Sequence, residues 1–269
     1  MENEIKDEFS QEFPEGLKYD YKYYRSSSVF FPAHSHNAYE LIFIIRGDAS
    51  YVIEDREYKL NNYDLVITSP RKHHYIRLDS PCDYERFDVL IAPAHPLADI
   101  LKDLPDSSEV VHCLKNKVIT ENFNKIKLYY RQFSEEICYK LITSLLTEIL
   151  YNVSASENEL FASSQIVSPL IRKALAYINA HLFTIKNISE ICNELFIAKN
   201  YFFRLFKSTL KVSPKKYILD KRLLYAQGLL SSGEKPTAVY RECGFSNYVS
   251  FYKSYVALFG HSPSSENKR

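Results

Sequence analysis

Three histidines and a glutamate fall at spacings that suit one shared site. The run His34-Ser-His36-Asn-Ala-Tyr-Glu40 is followed by Gly47 seven residues later, then by Asp64 to Pro70 and the pair His73-His74. Successive side chains on a strand alternate, so His34 and His36 point to one face and Glu40 returns to it. With His74 they form a His₃Glu set whose imidazole and carboxylate donors suit Fe, Mn, Ni or Zn. The same groups, without metal, can hydrogen-bond a bound molecule or one another. Adjacent strand residues point oppositely, so only one of His73 and His74 can face this site. His74 is placed in the set, though the pattern alone leaves that choice open. Phe30, Phe31, Tyr39, Phe43, Tyr51 and Tyr75 lie in the same stretch. Aromatic faces beside His and Glu suit a sugar or other small polyol. With 22 Tyr and 17 Phe in the chain, such enrichment is weak evidence by itself.

A second pattern that carries chemistry lies near the other end. From Ser168 onward 16 Lys and Arg stand against 6 Asp and Glu, leaving 18 against 27 in the residues before it. A basic segment on an acidic body points to a polyanion-binding module joined to something else. The segment also repeats. A shift of 49 residues places Phe196 on Phe245, Phe202 on Phe251, Arg204 on Lys253, Phe206 on Tyr255 and Ser213-Pro214 on Ser262-Pro263. Two copies are too few for a solenoid and fit paired binding modules.

Each copy has the layout of two short helices joined by a tight turn. In the first, Ile188, Ile191, Cys192 and Leu195 face inward from a supporting helix, and Phe196 to Ala198 make the turn. A second helix then buries Phe202, Leu205 and Phe206, leaving Lys199, Asn200, Phe203, Arg204 and Lys207 outward. In the second copy Gly244 supplies the turn. Asn247, Tyr248, Val249, Tyr252 and Lys253 project from a helix whose inner face is Phe251, Tyr255 and Leu258. Arg pairs bidentately with guanine and Asn with adenine in the major groove, while Lys neutralises phosphate. Between the copies, Pro214 to Leu230 reads as one helix carrying Lys215, Lys216, Lys221 and Arg222. At 1.5 Å per residue it spans roughly 25 Å, close to the separation of successive major grooves.

The elements that position the first site are short strands. Glu40 to Ile45, Ser50 to Glu54, Asp64 to Thr68 and Tyr84 to Ile91 alternate apolar and polar residues between turn signals, predicting a small β-sandwich or barrel to about residue 92. Helices follow over about 95–153. The clearest carries Cys138, Leu141, Ile142, Leu145, Leu146, Ile149, Leu150 and Val153 as one apolar stripe. That stripe either covers the sheet or forms a dimer seam; the expectation is a homodimer through a helix at about 134–153. Residues 154–167 read as a linker and 168–269 as an all-α domain, giving an α+β multidomain chain. No run of 18 apolar residues predicts a membrane span, and the acidic N-terminus is unlike a signal peptide. Five scattered cysteines without a CxxC pair fit a reduced, cytoplasmic protein, with Cys192 and Cys243 in helical cores.

The last hundred residues resemble the arabinose-regulator (AraC/XylS) family of bacterial transcription factors. The resemblance rests on Tyr201 to Lys207 (YFFRLFK), Tyr217 through Arg222 to Ala226 and Leu229-Leu230, Gly244 to Asn247 with Phe251, and Gly260 to Pro263. It implies that Asn200, Phe203 and Arg204 read bases in the first unit, and Tyr248, Val249 and Lys253 in the second. Three positions depart from the family pattern. Ala198 replaces a helix-capping Ser, Lys211 replaces a turn Gly, and the tail from Ser264 lacks the family's Tyr-Arg ending. The spacing around His34 to Glu40 and before His74 is also that of the two cupin motifs. Enzymes of that fold use such a set with metal, and a metal-dependent cupin enzyme with a helical appendage is the alternative reading. In the resembled regulators a similar stretch lies at the mouth of a sensory barrel without metal. The expectation is therefore a ligand site of His34, His36, Tyr39, Glu40 and His74, with no cofactor and no catalysis. The resemblance implies double-stranded DNA, a small-molecule effector (a carbohydrate foremost) and RNA polymerase as partners, and activation of transcription.

Overall fold

The computed structural model describes residues 4–26, 31–156 and 160–268. Phe30 lies outside them. The first strands, β1 (Glu4–Phe13) and β2 (Leu17–Ser26), form an antiparallel hairpin with Phe13 paired to Leu17. The motif reading missed it because charged residues crowd its outer positions. Its alternate residues Phe9, Phe13, Leu17, Tyr19 and Tyr21 are all buried. The strands expected from alternation are present as β3 (Tyr39–Arg46), β4 (Ala49–Ile53), β6 (Asp64–Thr68) and β8 (Cys82–Ile91). Two more, β5 (Arg56–Leu60) and β7 (His74–Leu78), complete hairpins between them.

These strands form two antiparallel sheets. The larger has the order β1-β2-β8-β3-β6-β9, ending on β9 (Val110–His112). The smaller runs β10-β5-β4-β7, with β10 being Gln165–Ile166. Between the sheets lies a core of Ile42, Ile44, Tyr51, Ile53, Tyr58, Val66, Ile76 and Tyr84. The outer face of the larger sheet is buried too, under α1 (Leu97–Lys102), α2 (Lys117–Tyr129) and α3 (Glu135–Ser154). Phe43 stacks on Phe123 of α2 with ring centres 4.2 Å apart. With both faces covered, β3 reads as a nearly unbroken apolar run, yet its residues still divide by parity. Tyr39, Leu41 and Phe43 go to the helices, and Glu40, Ile42 and Ile44 to the inter-sheet side.

The apolar stripe of α3 covers the sheet. Cys138, Ile142, Leu146, Ile149, Leu150 and Val153 are all at most 1% exposed within this chain. What α3 leaves outward is Ile137 and Tyr151, flanked by half-buried Leu141 and Leu145. The stretch that reads as a linker is tied down at both ends. Phe161 bridges to Val111, and Gln165–Ile166 adds a strand beside β5.

The remaining helices are α4 (Pro169–Ala180), α5 (Ile188–Glu194), α6 (Lys199–Leu210), α7 (Pro214–Ser231), α8 (Pro236–Glu242) and α9 (Tyr248–Phe259). They pack around two separate cores. Ile171, Ile178, Ile191, Phe202, Phe206 and Tyr217 centre one; Leu223, Leu230, Val239, Phe251 and Tyr255 centre the other. The helix α7 passes from the first core to the second and is their common strut. Side-chain caps stop and start these helices where the sequence supplies them: Ser168, Asn187 (in a capping box), Ser213 and Asn247. Ala198, lacking a side-chain acceptor, leaves α6 without that bond, a difference of about 1 kcal/mol.

Candidate nucleic-acid interface and ligand pocket

The two helices expected to meet DNA, α6 and α9, each bury one face in their own core and expose the other. On α6, Phe202 and Phe206 are fully buried while Lys199, Asn200, Arg204 and Lys207 are exposed. Phe203 is half-buried against the core, so it offers only an edge. On α9, Val249 (61% exposed), Tyr252 and Lys253 face solvent, and Tyr248 packs partly against Tyr240 and Phe251. Asn247 is the N-cap of α9, its side chain accepting from Ser250 N–H at 2.8 Å. Its amide nitrogen donates to Ser246 Oγ at 3.3 Å. Leu258, assigned inward from the sequence, is instead 38% exposed at the helix end.

Two details of the repeat differ from the sequence reading. Phe196 does not match Phe245. It holds the left-handed position (φ 53°) that Gly244 holds (φ 75°) in the second unit, with Ile197 N–H bonding Cys192 as Phe245 N–H bonds Tyr240. The second turn is one residue longer, so the 49-residue register starts only at the helix caps. Phe196 is 94% exposed as a result. The cations of α7 are also not a common DNA face. Arg222 turns inward and donates to the carbonyls of Leu182 (2.8 Å), Ile185 (2.7 Å) and Gly244 (3.1 Å), tying both units to the strut. Lys221 pairs with Glu54 at 2.8 Å, and Lys216 with Asp220 at 2.8 Å; Lys215 remains exposed. The tail that departs from the family ending is held by Glu266, which accepts from Tyr255 Oη (2.5 Å) and Gln227 Nε2 (3.1 Å).

Between the sheets opens a cavity of about 290 Å³, lined by Phe31, His34, Glu40, Ile42, Tyr51, His74, Tyr75, Ile76, Arg86 and Asp88 among others. It lies at the lower end of small-molecule sites, which run roughly 300–1,000 Å³. The strand pairing that brings His34 beside His74 is a two-way backbone bridge, 3.0 and 2.9 Å. Glu40 is buried, accepts from Tyr51 Oη and lies 2.9 Å from His74 Nε2. Burial alone would raise its carboxyl; the adjacent imidazoles of His74 and His36 hold it well below the usual carboxylate range.

Of the expected ligand residues, Tyr39 is a correction. It points to the helix side with Leu41 and Phe43, because it neighbours Glu40 on a strand and must take the opposite face. Phe43 leaves the pocket for the same reason. The ambiguity between the adjacent histidines resolves to His74, while His73 donates outward. Two wall residues were missed. Arg86 and Asp88 lie largely buried on the inner face of β8, 3.2 Å apart, with the enclosed atoms Arg86 Nε and Asp88 Oδ1 lacking any hydrogen-bond partner. Burial, then the nearby Glu40, pushes the Asp88 carboxyl up to about 7. Their signal was present in the alternation itself. Charged residues sit between Phe87, Val89 and Ile91 on a strand whose other face is core, so they must point into an interior.

The pocket wall reaches the DNA-binding unit directly. His73 Nε2 lies 2.9 Å from the carbonyl of Leu210, and Tyr75 Oη donates to the carbonyl of Thr209 at 3.0 Å. Both carbonyls belong to the last turn of α6. Glu54, in the β4–β5 turn, accepts from His73 N–H, Lys221 and the buried Tyr217 hydroxyl, and Arg172 pairs with Asp55. Glu54→Gln should loosen this junction. We expect amide exchange to quicken roughly tenfold in the last turn of α6, about 1–2 kcal/mol of lost charge-assisted bonding. Unchanged exchange in both α6 and β7 would show that Glu54 does not hold the domains together.

Two family models match the chain. An AraC-like ligand binding domain covers residues 20–127, and a helix-turn-helix domain covers 191–269. The probable transcriptional regulator LumQ of Photobacterium leiognathi is 38% identical over 88 residues, 32% of this chain and 36% of that protein. The chain therefore matches about a third of that relative's length. The HTH-type transcriptional regulator YfiF of Bacillus subtilis is 20% identical over 244 residues, 86% of this chain and 76% of its own. The crystal structure of ToxT from Vibrio cholerae aligns over 93% of this chain and 97% of that one, at 16% identity and a TM-score of 0.39.

Proposed function

The chain belongs to the AraC family of transcriptional regulators, and from that premise we propose that it is a sequence-specific DNA-binding activator governed by a small molecule in its N-terminal cavity. The observation that carries this reading is strand β7. Its His74, Tyr75 and Ile76 line the cavity, while His73 and Tyr75 hydrogen-bond the end of α6. A ligand that moves the cavity wall acts on the first recognition helix without an intermediary. It shifts the balance of arrangements only by binding one better than the other.

The base-reading residues in this proposal are Asn200, Arg204, Val249 and Lys253, with Lys199 and Lys207 on phosphates, and Phe203, Asn247 and Tyr248 at the edges. Arg204→Ala should weaken specific binding by about 1–3 kcal/mol and relax preference at one base. Fluorescence anisotropy on the duplex upstream of the gene reads both. An Arg204→Ala protein that matches the parent in affinity and selectivity would mean that α6 docks in another register.

The effector we propose is a small polyhydroxyl compound, a monosaccharide foremost. Phe31 and Tyr51 offer aromatic faces, while Arg86, Asp88, Glu40 and the imidazoles offer donors and acceptors. A thermal-shift panel decides the class: stabilisation by fatty acids and by no sugar would exclude it. We further propose a homodimer through the outward edge of α3 at Ile137 and Tyr151, measurable by sedimentation, a cytoplasmic location, and activation through contact with RNA polymerase. Among the described residues no helix is long and apolar enough to cross a membrane. The enzyme alternative would need turnover of a cavity ligand; the relatives named above are transcriptional regulators.

A further inference from the structure

A second cavity lies outside the barrel, where the two domains meet. Its volume is about 380 Å³, within the range of small-molecule sites, roughly 300–1,000 Å³. One wall belongs to the N-terminal domain and carries Glu54, Asp55 and Arg56 of the β4–β5 hairpin, with Lys72 and Glu109 beside them. The other wall is made by α4 and α7, which contribute Arg172 and Lys221. Ile53, Leu175 and Ala176 add apolar surface. The cavity shares no lining residue with the barrel site or with the recognition helices.

Its charges do not balance. Four cations, Arg56, Lys72, Arg172 and Lys221, face three carboxylates. The carboxylates are already committed. Glu109 accepts from Arg56 (3.3 Å), Lys72 (2.7 Å) and the Tyr58 hydroxyl (2.6 Å). Glu54 accepts from Lys221, the Tyr217 hydroxyl and His73 N–H, and Asp55 holds Arg172. One carboxylate therefore serves both cations of the N-terminal wall. Guanidinium and ammonium groups each carry several N–H donors, so donors are left over where acceptors are used up. At an open surface water would meet them and salt would screen the surplus charge. Here Glu109 is buried, and the side chains of Lys221, Glu54 and Asp55 are at most 15% exposed, so screening is weak.

A group with negative charge and several acceptor oxygens supplies what is missing, and both phosphate and carboxylate accept bidentately from a guanidinium. We infer that this cavity binds a small organic anion through a phosphate or carboxylate head group, and that the anion holds the DNA-binding domain against the barrel. Each domain provides two of the four cations, so the site is assembled only while the domains are docked. Binding therefore favours the docked arrangement. The inference needs neither a particular effector in the barrel nor a particular operator.

The test titrates the full chain calorimetrically with inorganic phosphate and, separately, with succinate, each against chloride at matched ionic strength. At least one should bind saturably at one equivalent, and their ranking identifies the head group. Lys72→Gln and Arg172→Gln, one from each wall, should each weaken that binding at least roughly tenfold. In Lys72→Gln, Glu109 keeps Arg56 and Tyr58 as partners, so the fold is retained. Lys102→Gln, at an exposed cation of α1, should change nothing. Hydrogen exchange at saturation should slow in α4 and in the β4–β5 turn. Absence of saturable binding by both anions overturns the inference, and so does exchange that stays unchanged in both segments. Folded Lys72→Gln and Arg172→Gln proteins that bind like the parent would place the anion on the recognition helices and overturn it too. Loss in the variant of one wall alone would leave no site between the domains. DNA binding measured on the same samples keeps the two readings separable. Specific DNA binding without anion binding removes only this inference, and anion binding without DNA binding removes only the regulator reading.

Discussion

Arg222→Ala is expected to lower the stability of the C-terminal domain by about 2–4 kcal/mol, and to abolish cooperative DNA binding well below the melting temperature. The guanidinium reaches three carbonyls on two segments, Leu182 and Ile185 ahead of the first unit and Gly244 in the turn of the second. Each bond to a charged donor is worth roughly 1.5–3 kcal/mol. Arg222 is half-buried, so water recovers part of the sum. For a domain of this size the shift in Tm is roughly 10 °C or more. Lys at the same position should recover little, since one ammonium cannot span three acceptors in the plane that a guanidinium presents. A Tm within about 2 °C of the parent would show that the carbonyls are satisfied another way.

Gly244→Ala should be nearly as damaging, for a different reason. The residue sits at φ 75°, and a Cβ there would lie 2.4 Å from the carbonyl oxygen of Phe183, a backbone atom that cannot rotate aside. The left-handed conformation costs roughly 1–2 kcal/mol for a side-chain-bearing residue. The close approach adds to it, for about 3 kcal/mol or more in all. Gly260 is the internal control. It has the same φ of 75° with nothing within 4 Å, so Gly260→Ala should show the conformational cost alone. Chemical denaturation of both variants separates the two contributions. Equal losses would mean that the contact with Phe183 relaxes freely. The first unit supports the argument, since Phe196 takes the equivalent conformation and projects its ring wholly into solvent.

The C-terminal domain was the more legible half. Its apolar residues recur at helical spacing with polar caps at Ser168, Asn187, Ser213 and Asn247, so local pattern and tertiary packing agree. The slip of Phe196 for Gly244 arose because a one-residue insertion in a turn does not disturb the periodicity on either side of it. Arg222 and Lys221 were counted with the basic surface because charge does not reveal direction. Only the packing of α7 against both units and the barrel turns them inward. In the N-terminal domain the histidines and Glu40 were visible as types at fixed spacing. Tyr39 was misplaced although alternation already excludes it from Glu40's face. Arg86 and Asp88 escaped because no motif names them; a buried ion pair shows itself only once β8 is known to be central. The β1–β2 hairpin hid behind its charged outer positions. The route from His74 through His73 to Leu210 joins residues 137 apart in the chain and has no local signal at all.

The central claim is that two recognition helices, fixed by α7, read one side of a single duplex. Inserting about half a helical turn, roughly five base pairs, between the two protected tracts of a footprinted operator tests it most directly. Rotating one tract to the far side should cost at least tenfold in affinity, and restoring a full turn should recover part of it. Equal affinity for all three spacings would contradict the claim, because helices that bind independently of phase cannot be held by a rigid strut.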